Sequence, residues 1–139
     1  MAISETLKKQ FTEYILLQAY DDQYIDRNEE KKILEVAIKN GISIEEGLFL
    51  LHQLAFEKAW VIEREVESHI TEILEQFCSN DGVIDKKEFE HSLALFKSAC
   101  KGKRTELELK RRLKEIILEH GWRVKEGGLW RSKWFSEIN

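Results

Sequence analysis

The sequence predicts an all-α protein, a two-repeat helical bundle with EF-hand-like acidic turns, ending in a short C-terminal β-hairpin or an aromatic tail. Three observations predict it. Asp22, Ile25, Asp26 and Glu29 return 59 residues later as Asp81, Ile84, Asp85 and Glu88, each set lying between apolar stretches of helical period. The 139 residues contain no proline and an ordinary share of apolar residues, so extended disorder is not expected. Ser43 with Glu46, and Thr105 with Glu108, have the spacing of a capping box.

The elements follow in order. Leu7, Phe11, Tyr14 and Ile15 form an apolar stripe over residues 5–20, and Gln18 keeps its spacing. After the first acidic turn, a helix from about Arg27 to Asn40 turns Ile33, Leu34, Ala37 and Ile38 inward, and Asn40 with Gly41 stops it. Ser43 opens the next helix. From Leu48 to Phe77 the pattern stays helical, through Leu51, Leu54, Ala55, Trp60, Val61, Ile62, Val66, Ile70, Ile73 and Leu74. That length predicts a bend between Glu63 and Ser68. The second acidic turn opens a helix with Phe89, Leu93, Leu95 and Phe96 inward, ended by residues 101–104. Thr105 begins the last helix, whose inward residues are Leu109, Leu113, Ile116 and Ile117, and His120 with Gly121 ends it. Trp122 to Arg131 then reads as a hairpin turning at Gly127 and Gly128, or as an aromatic tail laid across the helices. Residues 1–100 are thus expected to form a two-repeat acidic helical domain. Residues 101–139 are expected to form a basic helix and Trp-rich hairpin or tail packed on the same domain.

Charge is unevenly placed. Residues 1–96 carry 10 Lys/Arg against 20 Asp/Glu, a net −10, and residues 97–139 carry 12 against 6, a net +6. Either the two parts neutralise one another within the fold, or each has its own partner. No apolar run approaches the roughly 20 residues of a membrane span, and the N-terminal residues lack a signal-peptide apolar region, so a cytoplasmic location is expected. Cys78 and Cys100 suit reduced core positions, and the scattered His52, His69, His91 and His120 suit structural roles.

The repeated turns carry the only ligand-like chemistry. On a twelve-residue calcium loop, Gly82 takes the sixth position, Asp85 the ninth and Glu88 the twelfth, the usual bidentate ligand. The first copy ends alike, with Asp26 and Glu29 in those places. Both beginnings depart from the loop: the first position holds Gln18 or Phe77 and the third Tyr20 or Ser79. Asp22, Asp26, Glu29, Asp81, Asp85 and Glu88 are therefore candidate ligands for a divalent cation, calcium by loop type, with no other cofactor expected. The competing role is capping, because Asp26 and Asp85 are good N-cap residues with a glutamate three positions on.

These turns, with Glu30 and the run Gly41, Ile42, Ser43, Ile44, Glu45, Glu46, resemble the TerB-like family associated with tellurite resistance. The resemblance covers residues 5–100, and Gln23 stands where the family pattern has glycine. It implies an all-helical, acidic fold of two related halves, suspected of binding metal ions and acting as an accessory module in stress-related or membrane-associated assemblies.

The basic segment supplies a second candidate surface. Arg111, Arg112, Arg123 and Arg131 are interleaved with Trp122, Trp130 and Trp134, a composition suited to docking an acidic protein or stacking on nucleic acid. No nucleophile–base pairing and no glycine-rich phosphate loop is visible, and Glu63, Glu65 and Glu67 read as solvated helix faces. The expectation is a non-enzymatic protein-binding or adaptor module, with a nucleic-acid-binding regulator and a divalent-metal switch as alternatives. Partner, pathway and oligomeric state are not encoded in any motif.

Overall fold

The computed structural model describes residues 3–127 and 133–139. Among them are six α-helices and four two-residue strands, in the order α1 (Glu5–Gln18), β1 (Tyr24–Ile25), α2 (Arg27–Lys39), α3 (Ile44–Lys58), β2 (Val61–Ile62), α4 (Glu63–Asp81), β3 (Val83–Ile84), α5 (Lys86–Ala99), α6 (Glu106–Glu119) and β4 (Arg123–Val124). The chain divides into two compact units, Met1–Arg64 and Glu65–Asn139. The basic segment from residue 101 onward belongs to the second, with α5. No helix among the described residues is long and apolar enough to cross a membrane.

In the first unit, Phe11 and Ile15 of α1, Ile33 and Ala37 of α2, and Leu50, Leu51, Leu54 and Ala55 of α3 build one buried cluster with Ile25 and Ile62. Gly47 lets α3 approach α2: a Cβ there would lie 3.2 Å from that of Ala37. β1 and β2 pair in parallel, with Tyr24 opposite Val61 and Ile25 opposite Ile62. The second unit repeats the device, pairing β3 with β4 so that Val83 faces Arg123 and Ile84 faces Val124. Ile25 and Ile84 are fully buried in these strands.

Two expectations are corrected. The stretch from Leu48 to Phe77 is not one bent helix; it breaks at Ala59, Trp60, Val61 and Ile62, before the expected bend. Ala59 takes the left-handed conformation (φ 56°, ψ 39°), and the Trp60 N–H reaches back to the Ala55 carbonyl. This closure ordinarily uses glycine, so the sequence carried no stop signal. Secondly, Ile38 and Leu95 lie at the edges of their apolar stripes and are exposed rather than inward. At the C-terminal end, Arg123 and Val124, the expected first hairpin arm, form a strand that pairs in parallel with β3, about 40 residues upstream. The expected second arm, with Trp130 and Arg131, lies outside the described residues.

Candidate functional site

The two acidic turns share one hydrogen-bond scheme. Asp26 Oδ1 accepts from the Glu29 N–H (2.8 Å), and Glu29 Oε1 accepts from the Asp26 N–H (3.2 Å). Asp85 and Glu88 do the same, at 2.8 and 3.0 Å. Asp22 and Asp81 each bond the N–H two residues on, in Tyr24 and Val83, both at 3.2 Å. All six candidate ligands thus serve backbone donors that the helix starts and turns would otherwise leave unpaired. Partial burial pushes the Glu29 carboxyl above its ordinary value; the Asp26 N–H pulls the other way, and the charges of Asp26 and Asp22 add to the rise. Between Asp22 and Tyr24 the chain turns through Gln23 at φ 56°, where the second copy has Gly82 at φ 81°. Among the described residues no group of three or more His, Cys, Asp or Glu side chains is arranged to hold a metal ion.

Glutamates read as solvated are partly interior. Glu67 is 4% exposed and receives a forked pair from Arg112, Nε to Oε2 and Nη2 to Oε1, both at 3.0 Å. Glu63 accepts from the Tyr24 hydroxyl at 2.6 Å and from the Arg27 N–H at 3.4 Å. The first unit buries Glu30, whose Oε1 accepts from Arg64 Nε at 2.8 Å while Oε2 has no hydrogen-bond partner among the described residues. Helical period shows a charged residue's azimuth, not whether an arginine from another helix covers it.

The basic residues divide into structural and available. Arg112 also bonds Glu115 (3.0 Å) and Glu119 (3.2 Å). Burial opposes its charge, but the Glu67 carboxylate and then Glu115 and Glu119 outweigh that cost and raise its pKa. Its guanidinium has little left to offer a partner. Trp122 stacks on His120 with ring centres 4.4 Å apart. Arg123 is exposed in β4. Trp134 packs against Phe89 at 5.1 Å, and its indole N–H donates to the Lys125 carbonyl at 3.1 Å.

Residues 133–139 are held along α6. Lys114 donates to the Ile138 carbonyl at 2.8 Å, and Arg111 to the main-chain oxygen of Asn139 at 2.5 Å. Glu126 accepts from the Ser136 N–H, the Ser136 hydroxyl and the Phe135 N–H, which hold its carboxyl below the ordinary range. A groove of about 290 Å³ remains, lined by Leu107, Lys110 and Arg111 from α6 and by Trp134, Glu137, Ile138 and Asn139. Spacing of three and four residues puts Leu107, Lys110 and Arg111 on one face of α6. Among the described residues no Asp or Glu side chain ion-pairs with Lys110 or Arg111. The groove brings together two of the predicted partner-binding residues, Arg111 and Trp134, and adds Leu107 and Lys110, which the helical spacing could have indicated. Comparisons with family models, curated proteins and solved structures found no match to this chain.

Proposed function

We propose that the protein is a non-enzymatic binding or adaptor module that docks an acidic, partly apolar segment of a protein partner in the α6 groove. The carrying observation is that Lys110 and Arg111, neither of which ion-pairs with a described Asp or Glu side chain, share one concavity with the Trp134 ring and Leu107. Cations beside an aromatic wall match an acidic and apolar segment, and tryptophan and arginine are the residues that most often anchor interfaces. Nucleic acid is the weaker reading. Glu137 lines the same groove, and residues 65–139 balance 14 Lys/Arg with 14 Asp/Glu, so the phosphate attraction is local.

The order helix, strand, helix, helix, strand recurs from one unit to the next. It supports reading the chain as a duplicated fold of the TerB-like kind, with EF-hand-like turns that act by capping. Under this reading the turns stiffen the junctions and the groove makes the contact.

The test is capture of partners from nuclease-treated host extract by tagged full-length protein, in calcium and in EDTA. Arg111→Glu and, separately, Lys110→Glu should each abolish capture in both conditions, Lys110→Glu without lowering thermal stability. Capture that survives Arg111→Glu and Lys110→Glu would exclude the groove, and capture lost on nuclease treatment would move the partner to nucleic acid.

A further inference from the structure

The first unit carries a surface that the α6 groove fits. On α3, Phe49 is 64% and Phe56 89% exposed. Seven residues apart, they lie two turns from one another on the same side of the helix, and Glu45, four residues before Phe49, begins that stripe. Two phenylalanines aligned on an otherwise polar helix face mark an interaction surface more than isolated exposed side chains do. The helix that carries them is acidic, with Glu45, Glu46 and Glu57 against Lys58, in a unit where residues 1–64 hold 8 Lys/Arg against 12 Asp/Glu. The groove on the second unit has the opposite balance, with Lys110 and Arg111 against Glu137, beside Trp134 and Leu107.

From this complementarity we propose that the α3 face of one copy docks in the α6 groove of a second copy, so that the protein self-associates head to tail. The proposal rests on the reading that the groove takes an acidic, apolar segment. Carboxylates such as Glu45 would meet Lys110 and Arg111, and Phe49 and Phe56 would cover Trp134 and Leu107. The two surfaces belong to different units, so the contact is heterologous. A dimer keeps one unused face of each kind and can grow further, into a ring or an open chain.

The test is sedimentation velocity of the full chain over a wide range of concentration. The wild type should associate progressively as concentration rises, and less so as salt is added. Phe49→Ser combined with Phe56→Ser should be monomeric, and so should Arg111→Glu, each with unchanged helical circular dichroism. An equal mixture of the two variants should form a one-to-one dimer and stop there, because each retains the face the other lacks. A wild type that stays monomeric at every concentration overturns the proposal. Association lost in the phenylalanine variant but untouched by Arg111→Glu also overturns it, since α3 would then be pairing elsewhere. If the wild type is monomeric while Arg111-dependent capture of a host protein persists, self-association falls and the groove reading stands. If Arg111→Glu alters neither association nor capture, both fall.

Discussion

Arg112 grips Glu67 with two parallel hydrogen bonds of 3.0 Å, tying α6 to the buried side of α4 within the second unit. Glu67 is almost wholly removed from water, whereas Arg112 keeps about a quarter of its surface exposed. A buried carboxylate without its cation is far more costly than a pair that was never charged. Arg112→Ala should therefore destabilise the unit by about 3–5 kcal/mol, and Arg112→Leu with Glu67→Leu should recover most of that loss. Urea unfolding of the single and double variants checks this. A single-variant loss under about 1 kcal/mol would mean that water reaches Glu67 freely. The pair also neutralises part of the charge asymmetry within the fold, whereas Lys110 and Arg111 ion-pair with no described Asp or Glu side chain.

Acid should release the segment along α6 through Glu126. The Ser136 N–H and hydroxyl, and then the Phe135 N–H, favour the charged form and lower its pKa from 4.5. For a carboxylate depressed in the folded state, the stabilisation is complete above the unfolded value and disappears as pH falls through the lower folded value. Trp134 should accordingly become more accessible to a quencher as pH drops below about 4.5. Glu126→Gln should show the loosened state already at neutral pH and lose the acid transition. A Trp134 signal flat through that range in the wild type would show that Lys114 and Arg111 hold the segment alone.

The two turns differ at one position in a way that predicts opposite substitutions. Gln23 and Gly82 both have positive φ, and a Cβ added at Gly82 meets nothing within 4 Å. Backbone conformation alone therefore decides the outcome. The left-handed region costs a non-glycine residue about 1–2 kcal/mol, while glycine loses about 0.5–1 kcal/mol of unfolded-state freedom. Gln23→Gly should stabilise by about 0.5–1 kcal/mol, and Gly82→Gln should destabilise by a similar amount. Thermal melts decide it, and a loss on Gln23→Gly would point to a contact made by the glutamine side chain.

What the sequence disclosed here was local, and what it concealed depended on partners distant along the chain. The Asp26–Glu29, Asp85–Glu88 and Thr105–Glu108 boxes are legible because both members lie within one turn. The apolar periods placed Phe11, Ile33, Leu51, Leu109 and Leu113 correctly for the same reason. Ala59 hid a helix end because its left-handed backbone is imposed by the Val61 and Ile62 pairing with Tyr24 and Ile25, over 30 residues away. Strands of two residues have no measurable period. The burial of Glu67 depends on Arg112, 45 positions later. The groove was half legible: Arg111 and Trp134 stood out by composition, while Lys110 and Leu107 gained meaning only when residues 133–139 were seen along α6.

Removing the caps separates the structural role of the turns from a metal-dependent one. Asp26 and Asp85 each accept from the third backbone N–H of the helix that follows, a bond that exists whatever ions are present. Neither turn begins with a carboxylate: Gln18 ends α1, and the Phe77 ring packs against His91 at 5.9 Å. A calcium loop without its first ligand loses charge and rigidity together. Asp26→Ala and Asp85→Ala should each destabilise by about 1 kcal/mol, the usual worth of an N-cap, and equally in calcium and in EDTA. Asn at either position should restore most of the loss, because an amide oxygen still caps the helix while binding calcium more weakly. A deficit that grows in calcium and is not rescued by Asn would instead assign the turns to the ion.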